Sequence, residues 1–239
     1  MEKLYYDLHI HSALSPCADD DMSPNDIVGM ALLNELDIIA VTDHNSFANT
    51  EAVINVAKAH ARDLIVLPGA EITTAEEVHV VCLFSELLLA MNFEAELSDF
   101  YPEIANRIDI FGKQIIFDEC DQVVGELERM LFAPTTISFD ELYELVNKYG
   151  GAFVPAHIDR DSFSVMSNLG FIPPHLDIRT VEVSTGGIEG GYDKQNAEQL
   201  EGRKIISSSD AHQLWKISER KNFMMLPSRT AEATIEYLR

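Results

Sequence analysis

Apolar runs and amphipathic stretches alternate along the chain, and their spacing predicts strands and helices in turn. Leu4–Ile10 reads as a strand. Ser23-Pro24 then opens a helix to about Glu35, with Ser23 as N-cap and Pro24 in the first helical position. Asp37–Val41 is the next strand, followed by a helix from about Thr50 to Arg62, strands Leu64–Leu67 and Val78–Phe84, and a helix through Ser85–Leu97. Further on come helix Phe139–Tyr149, strands Ala152–Ala156 and Ile178–Val183, helix Asp193–Leu200, strands Lys204–Ser207 and Asn222–Leu226, and a last helix Thr230–Leu238. Such alternation implies an α/β fold of parallel strands joined by right-handed crossovers.

The alternation breaks between roughly Asp99 and Thr136. There, Gln114–Phe117 and Gln122–Val124 flank the polar Asp118–Asp121, which predicts a hairpin, followed by a short helix. Residues 99–136 are therefore an insert between a first part (1–98) and a second part (137–239) of one domain. The insert is either a cap over the site or an extension of the rim. Gly186-Gly187 with Gly190-Gly191 marks a flexible loop.

A chain of 239 residues with 46% hydrophobic content is enough for one well-buried domain. The formal charge of -23 repels polyanions, and three bound divalent ions restore only about six charges. Long nucleic acid is thus a poor partner, whereas a small phosphorylated molecule captured by metals remains compatible. Three cysteines (Cys17, Cys82 and Cys120), a start without the features of a signal peptide, and no apolar stretch near membrane-spanning length lead to the expectation of a cytoplasmic protein.

Potential metal ligands stand at the ends of the apolar runs: His9, His11, Asp19, His44, Glu71, His79, His157, Asp210 and His212. His9 and His11 are two apart on a strand, so both project from one face, and Asp210 with His212 repeats that spacing. One His-x-His is ordinarily two packed histidines; the second pair makes coincidence a poor account. Asp7 shares the His9 face and could orient a ligand imidazole through its second nitrogen. Asp43, beside His44, is either a supporting or acid/base group or a cap for Asn45 and Ser46. Glu71 follows Pro68-Gly69, where the chain is expected to turn, and one carboxylate can bridge two ions; Glu76 and Glu77 read as solvated loop charges. At the first loop Asp19, Asp20 and Cys17 compete, Cys17 being otherwise a small buried residue. Strand ends that are scattered in sequence meet more naturally in a closed barrel than in an open sheet.

The series Asp-x-His-x-His, Thr-Asp-His, Gly-x-Glu, a downstream Pro-Ala-His and a final Ser-Asp-Ala-His resembles the PHP (polymerase and histidinol phosphatase) family over nearly the whole chain. The resemblance implies a distorted (β/α)7 TIM-like barrel holding two or three divalent metal ions and hydrolysing phosphoesters. It implies one ion on His9, His11, Glu71 and Asp210, a second shared by Glu71 with His79 and His157, and a third on Asp19, His44 and His212.

Imidazole and carboxylate ligands together suit zinc, manganese or iron. Neighbouring cations lower the pKa of a bridging water toward neutrality and clamp phosphate oxygens. No serine elbow or phosphate-cradling loop is present in the sequence. Glu71, Asp210 and Asp43 are the carboxylates expected to take part in catalysis. Arg160 either grips a phosphate with its planar fork or pairs with Asp159 or Asp161, and Lys194 and Arg179 are weaker candidates. The leading expectation is a phosphoesterase for a small phosphomonoester or short nucleotide. The alternatives are a nuclease trimming short oligonucleotides and a non-catalytic metal-binding regulatory module.

Overall fold

A computed structural model describes residues 1–60 and 63–239. The strands are β1 (Glu2–Ile10), β2 (Ile38–Val41), β3 (Ile65–Thr73), β4 (His79–Leu83), β5 (Ile115–Phe117), β6 (Val123–Glu126), β7 (Ala152–Pro155), β8 (Thr180–Glu182), β9 (Lys204–Ile206) and β10 (Phe223–Leu226). Six of them form one sheet in the order β10-β1-β2-β3-β4-β7, and β8 with β9 and β5 with β6 form two-stranded sheets.

The sheet curls. Leu4 and Leu8 of β1, Ala40 of β2, Leu67 of β3, Val81 of β4, Val154 of β7 and Ile206 of β9 share one buried cluster, which strands so far apart in a flat sheet could not do. Hydrogen bonds continue past β7: Ile158 N donates to Glu182 O (2.9 Å), Val183 N to Ile206 O (3.0 Å), and His11 N to Ala211 O (2.8 Å), the last returning to the end of β1. The side-chain alternation of β2 divides its burial. Ile38 and Ala40 face the inner cluster, while Ile39 and Val41 pack with Ile27, Val28, Val53 and Val56 of the outer helices Pro24–Leu33 and Thr50–Ala59.

Local chemistry explains the helix starts. The Ser23 hydroxyl accepts from Asp26 N and Pro24 takes the first turn, where its missing N–H costs nothing. Ser138 and Glu141 form a reciprocal capping box for helix Phe139–Lys148, whose buried Phe139, Leu142, Leu145 and Val146 follow the helical period. The expected end of the second helix at Arg62 lies outside the described residues.

Four expectations are corrected. The strands are not all parallel: β4 runs antiparallel to β3, because the link between them is too short for a crossover, and also to β7, and β10 runs antiparallel to β1. The chain does not turn at Pro68-Gly69. Instead β3 runs through and changes partner there, pairing with β2 as far as Pro68 and with β4 from Gly69. Proline has no N–H to give, and a Cβ at Gly69 would lie 2.7 Å from Leu83 Cδ2, so each residue type fits its place in the switch. In the insert the hairpin is β5–β6, but its short helix, Ile108–Phe111, precedes the hairpin. Finally, Thr185–Glu189 is a short helix capped by Ser184, and the expected helix 193–200 is reduced to Tyr192–Gln195.

The insert is tied to the sheet at its site end. Ile115 N donates to Ala13 O (2.9 Å), Phe117 N to Asn49 Oδ1 (2.9 Å), and Asn45 Nδ2 to Leu131 O (2.8 Å). Among the described residues no helix is long and apolar enough to cross a membrane.

Candidate metal centre

The ends of β1, β2, β7 and β9, the second half of β3 and the first residue of β4 meet at one pole of the curled sheet. Because β4 runs backwards, its start lies where the other strands end, and this brings His79 to the same place as His9, His11 and His157. Glu71 stands at the middle. Its Oε1 lies 3.3 Å from His9 Nε2, 2.9 Å from His79 Nδ1 and 3.1 Å from His157 Nε2. Its Oε2 lies 3.0 Å from His44 Nδ1 and 3.5 Å from His11 Nε2. Asp210 Oδ1 faces His9 Nε2 (3.4 Å) and His11 Nε2 (3.2 Å). The rings of His11 and His212 are stacked with centroids 4.3 Å apart. Of the eight histidines in the sequence, six are in this cluster; His60 and His175 lie elsewhere.

A second layer holds the rings. Glu182, the last residue of β8, receives the Nδ1 proton of His9 on both oxygens (3.1 and 3.2 Å) and the backbone N–H of His157 at 3.3 Å. His11 Nδ1 donates to Ser15 Oγ (3.0 Å), which donates to Asp43 Oδ1 (2.7 Å); Ser12 donates to the same carboxylate from its backbone and its hydroxyl. These bonds fix the tautomers so that the Nε2 lone pairs of His9 and His11 point into the cluster. His157 and Asp210 have positive φ (30° and 52°), a strained backbone that neighbouring structure must enforce.

The donor set fits metal ions. His9 Nε2, His11 Nε2 and His44 Nδ1 are buried and make no hydrogen bond, a costly arrangement for polar atoms unless a cation takes their lone pairs. Among the described residues three sets of donor atoms lie within 4.8 Å of one another: His9, His11 and Glu71; His44, Glu71 and His79; and His11, His44 and His212. Electrostatics agree. Burial opposes ionisation of Glu71, yet His79, His9 and His44 outweigh it and hold its pKa well below the usual range. Asp210 is lowered in the same way by His9 and His11 against its burial. Burial, with His44 and His212 nearby, pushes His11 down to about 3, so its ring is neutral. For His9, burial is outweighed by Glu182, Glu71 and Asp210, and its pKa lies well above the ordinary value.

His9, His11, His44, Glu71, His79, His157, Asp210 and His212 are thus brought together, and Asp19 is not. Asp19 is exposed and its carboxylate accepts from Gln213 Nε2 (3.0 Å); only its backbone N–H, bonded to His212 O (2.9 Å), touches the cluster. Asp20 is exposed, and so is Cys17, contrary to the buried reading. Asp7 orients no histidine, because its oxygens are taken by Ser209 N (3.0 Å) and Ser218 N (2.8 Å). Asp43 does not cap Asn45 or Ser46, since Ser12 and Ser15 occupy it. Arg160 pairs with neither Asp159, which binds Ser184, nor Asp161; its Nη2 meets Asp210 Oδ2 at 2.6 Å on the cluster's solvent side. Arg179 pairs with Asp177 on the surface, and Lys194 is exposed on the short helix Tyr192–Gln195. Glu182 was the residue missed.

Fold and site together define an α/β protein with a buried cluster of histidines and carboxylates able to hold metal ions. The model of the PHP domain matches residues 7–168, and the chain belongs to the PHP family. No curated protein sequence matches it. Among solved structures it is similar to the lesion-specific endonuclease EndoQ of Pyrococcus furiosus, with 17% identity, TM-score 0.69 and coverage of 99% of this chain and 56% of that one. It is similar to PsfC from Pseudomonas syringae, with 18% identity, TM-score 0.64 and coverage of 98% and 88%. A candidate metal-dependent phosphoesterase from Bifidobacterium adolescentis matches at 16% identity, TM-score 0.55 and coverage of 98% and 94%. The chain spans little more than half the length of the endonuclease.

Proposed function

We propose that the protein hydrolyses a small phosphomonoester or short nucleotide, with two or three zinc, manganese or iron ions held by His9, His11, His44, Glu71, His79, His157, Asp210 and His212. The observation that carries this reading is a single buried carboxylate, Glu71, facing five imidazoles with its two oxygens. When bound, the ions supply a water of lowered pKa and positive charge for the phosphate oxygens. Glu71 and Asp210 neutralise and position them, and Asp43 and Glu182 keep His11 and His9 in the ligating tautomer. Arg160, its side chain 45% exposed beside Asp210, turns from that carboxylate to a phosphate oxygen as substrate enters. Asp19, exposed and bonded to Gln213, is left outside this set.

In this reading β1, β2, β3, β4, β7, β8 and β9 are the staves of a distorted seven-stranded barrel interrupted at 99–136, between parts 1–98 and 137–239. The insert acts as a cap whose Phe132 lies 5.3 Å from His44. The test is phosphate release from a phosphometabolite library by protein loaded in turn with zinc, manganese and iron. No turnover with any ion, or less than one tightly bound ion per chain, overturns the proposal and favours a non-catalytic module. A second reading, trimming of short oligonucleotides, is supported by the similarity to an endonuclease also solved with a 27-mer duplex, and opposed by the charge of -23. A labelled oligonucleotide, degraded or left intact, separates the two.

A further inference from the structure

Exposure is uneven across the cluster. His9, His11, Glu71 and His157 are at most 2% exposed, whereas the side chains of Asp210, His79 and His212 are 9%, 13% and 29% exposed. Two phenylalanines flank the cluster with no part in holding metal. Phe163 stacks on His79 (centroids 4.7 Å apart, planes at 26°) and is nevertheless 43% exposed. Phe132, from the insert, lies 5.3 Å from His44, with Phe111 a further 6.1 Å away.

Phe163 is held there against its own preferences. Its φ is +54°, a region that a residue with a bulky side chain avoids, and its ring gives up much of the burial an apolar group gains. The loop is nonetheless pinned: the Phe163 carbonyl accepts from His79 N (2.9 Å), and Ser164 Oγ donates to Arg160 O (2.8 Å). One short loop therefore presents a guanidinium beside Asp210 and, three residues on, an open aromatic face beside His79.

We propose that Phe163, with Phe132 flanking the other end of the His44–His79 edge, is a stacking platform for a planar ring on the phosphoester, and that Arg160 takes the phosphate. The phosphate half rests on the function proposed above; the ring half is a specificity determinant of its own. A nucleobase and a phenolic ring share the required chemistry, a flat π face.

The test measures binding to metal-loaded protein with phosphonates, whose carbon–phosphorus bond is not hydrolysed. One pair is the phosphonate analogues of adenosine 5′-monophosphate and ribose 5-phosphate; the other is phenylphosphonate and cyclohexylphosphonate. In at least one pair the ring-bearing member should bind about five-fold tighter or more, as base–aromatic stacking allows. Phe163→Ala should bring that pair within about two-fold while leaving the ringless member unchanged, and Phe163→Tyr should restore the preference. Preference confined to the first pair assigns a nucleobase, and to the second a phenolic ring. Equal affinities within both pairs, or a Phe163→Ala loss shared equally by both members, overturn the proposal. Ring-dependent binding without turnover of the matching esters would remove the hydrolase reading and leave the ring site standing; turnover without ring dependence would do the reverse.

Discussion

Glu182→Gln isolates what the second layer contributes. Glu182 is 2% exposed and holds His9 Nδ1 on both oxygens, at 3.1 and 3.2 Å. Glutamine keeps the shape and one acceptor, so the ring stays in place while the charge is lost. A charge-assisted bond contributes about 1.5–3 kcal/mol and a neutral one about 0.5–1.5, leaving a difference of roughly 1–2 kcal/mol. That corresponds to about 5–30-fold in metal affinity, overlapping the range of about 10–100-fold found when partners of ligand histidines are removed. The substitution also lowers the His9 pKa, which lessens proton competition. The affinity at high pH should therefore fall by about ten-fold while its dependence on pH flattens. Chelator-competition titrations of both proteins across pH, with circular dichroism to verify folding, read both effects. An unchanged affinity limit, within about three-fold, would refute the assignment of Glu182 as the residue that sets His9's basicity.

Three further outcomes are expected. Glu71→Gln should abolish turnover while Asp19→Asn leaves a measurable rate, because Glu71 faces five imidazoles and Asp19 is exposed; equal residual rates would count against a bridging Glu71. Metal binding at pH 7 should release protons, since His9, held well above its ordinary pKa by Glu182, Glu71 and Asp210 against its burial, has to give one up before its Nε2 can bind an ion, whereas the lowered His11, Glu71 and Asp210 have none to lose. Affinity then weakens as pH falls, and calorimetry in buffers of different ionisation enthalpy showing no proton transfer would contradict this. Arg160→Ala should weaken inhibition by inorganic phosphate by about 10-fold or more, the loss of a charge-assisted bond, with Arg160→Lys in between; unchanged inhibition would return Arg160 to a purely structural pair with Asp210.

The clustered histidines and carboxylates were legible because most stand at or just past an apolar run, and a run's end is visible in sequence. Glu182 carried the same cue, at the end of Ile178–Val183, but an isolated glutamate without a histidine beside it did not stand out. His79 begins its run, and periodicity carries no direction, so the reversal of β4 was not visible although it alone explains why a strand's first residue joins the ends of others. Asp7 and Asp43 show the limit of spacing arguments. Both are buried carboxylates next to ligands, and only packing decides that Asp43 reaches a histidine through Ser15 while Asp7 is consumed by Ser209 and Ser218.

The insert's position also has consequences for the chemistry. Asn45 directly follows His44 with φ of +48°, and its backbone N–H binds Glu71 O (2.9 Å) while its Oδ1 accepts from Thr73 N (2.9 Å). Its remaining groups face the insert: Nδ2 donates to Leu131 O and Ala133 O, and its carbonyl accepts from Arg129, which lies over Tyr101 with its guanidinium carbon 3.6 Å from the ring centre. One residue thus joins the β2 end that carries His44, the β3 segment that carries Glu71, and the polypeptide that carries Phe132. A shift of the insert has to break buried hydrogen bonds or carry His44 and Glu71 with it, each broken bond costing on the order of 1–3 kcal/mol. The segment that interrupts the alternating pattern therefore belongs to the construction of the histidine–carboxylate cluster, and its aromatic edge is registered to His44 and Glu71 by the same contacts that hold them.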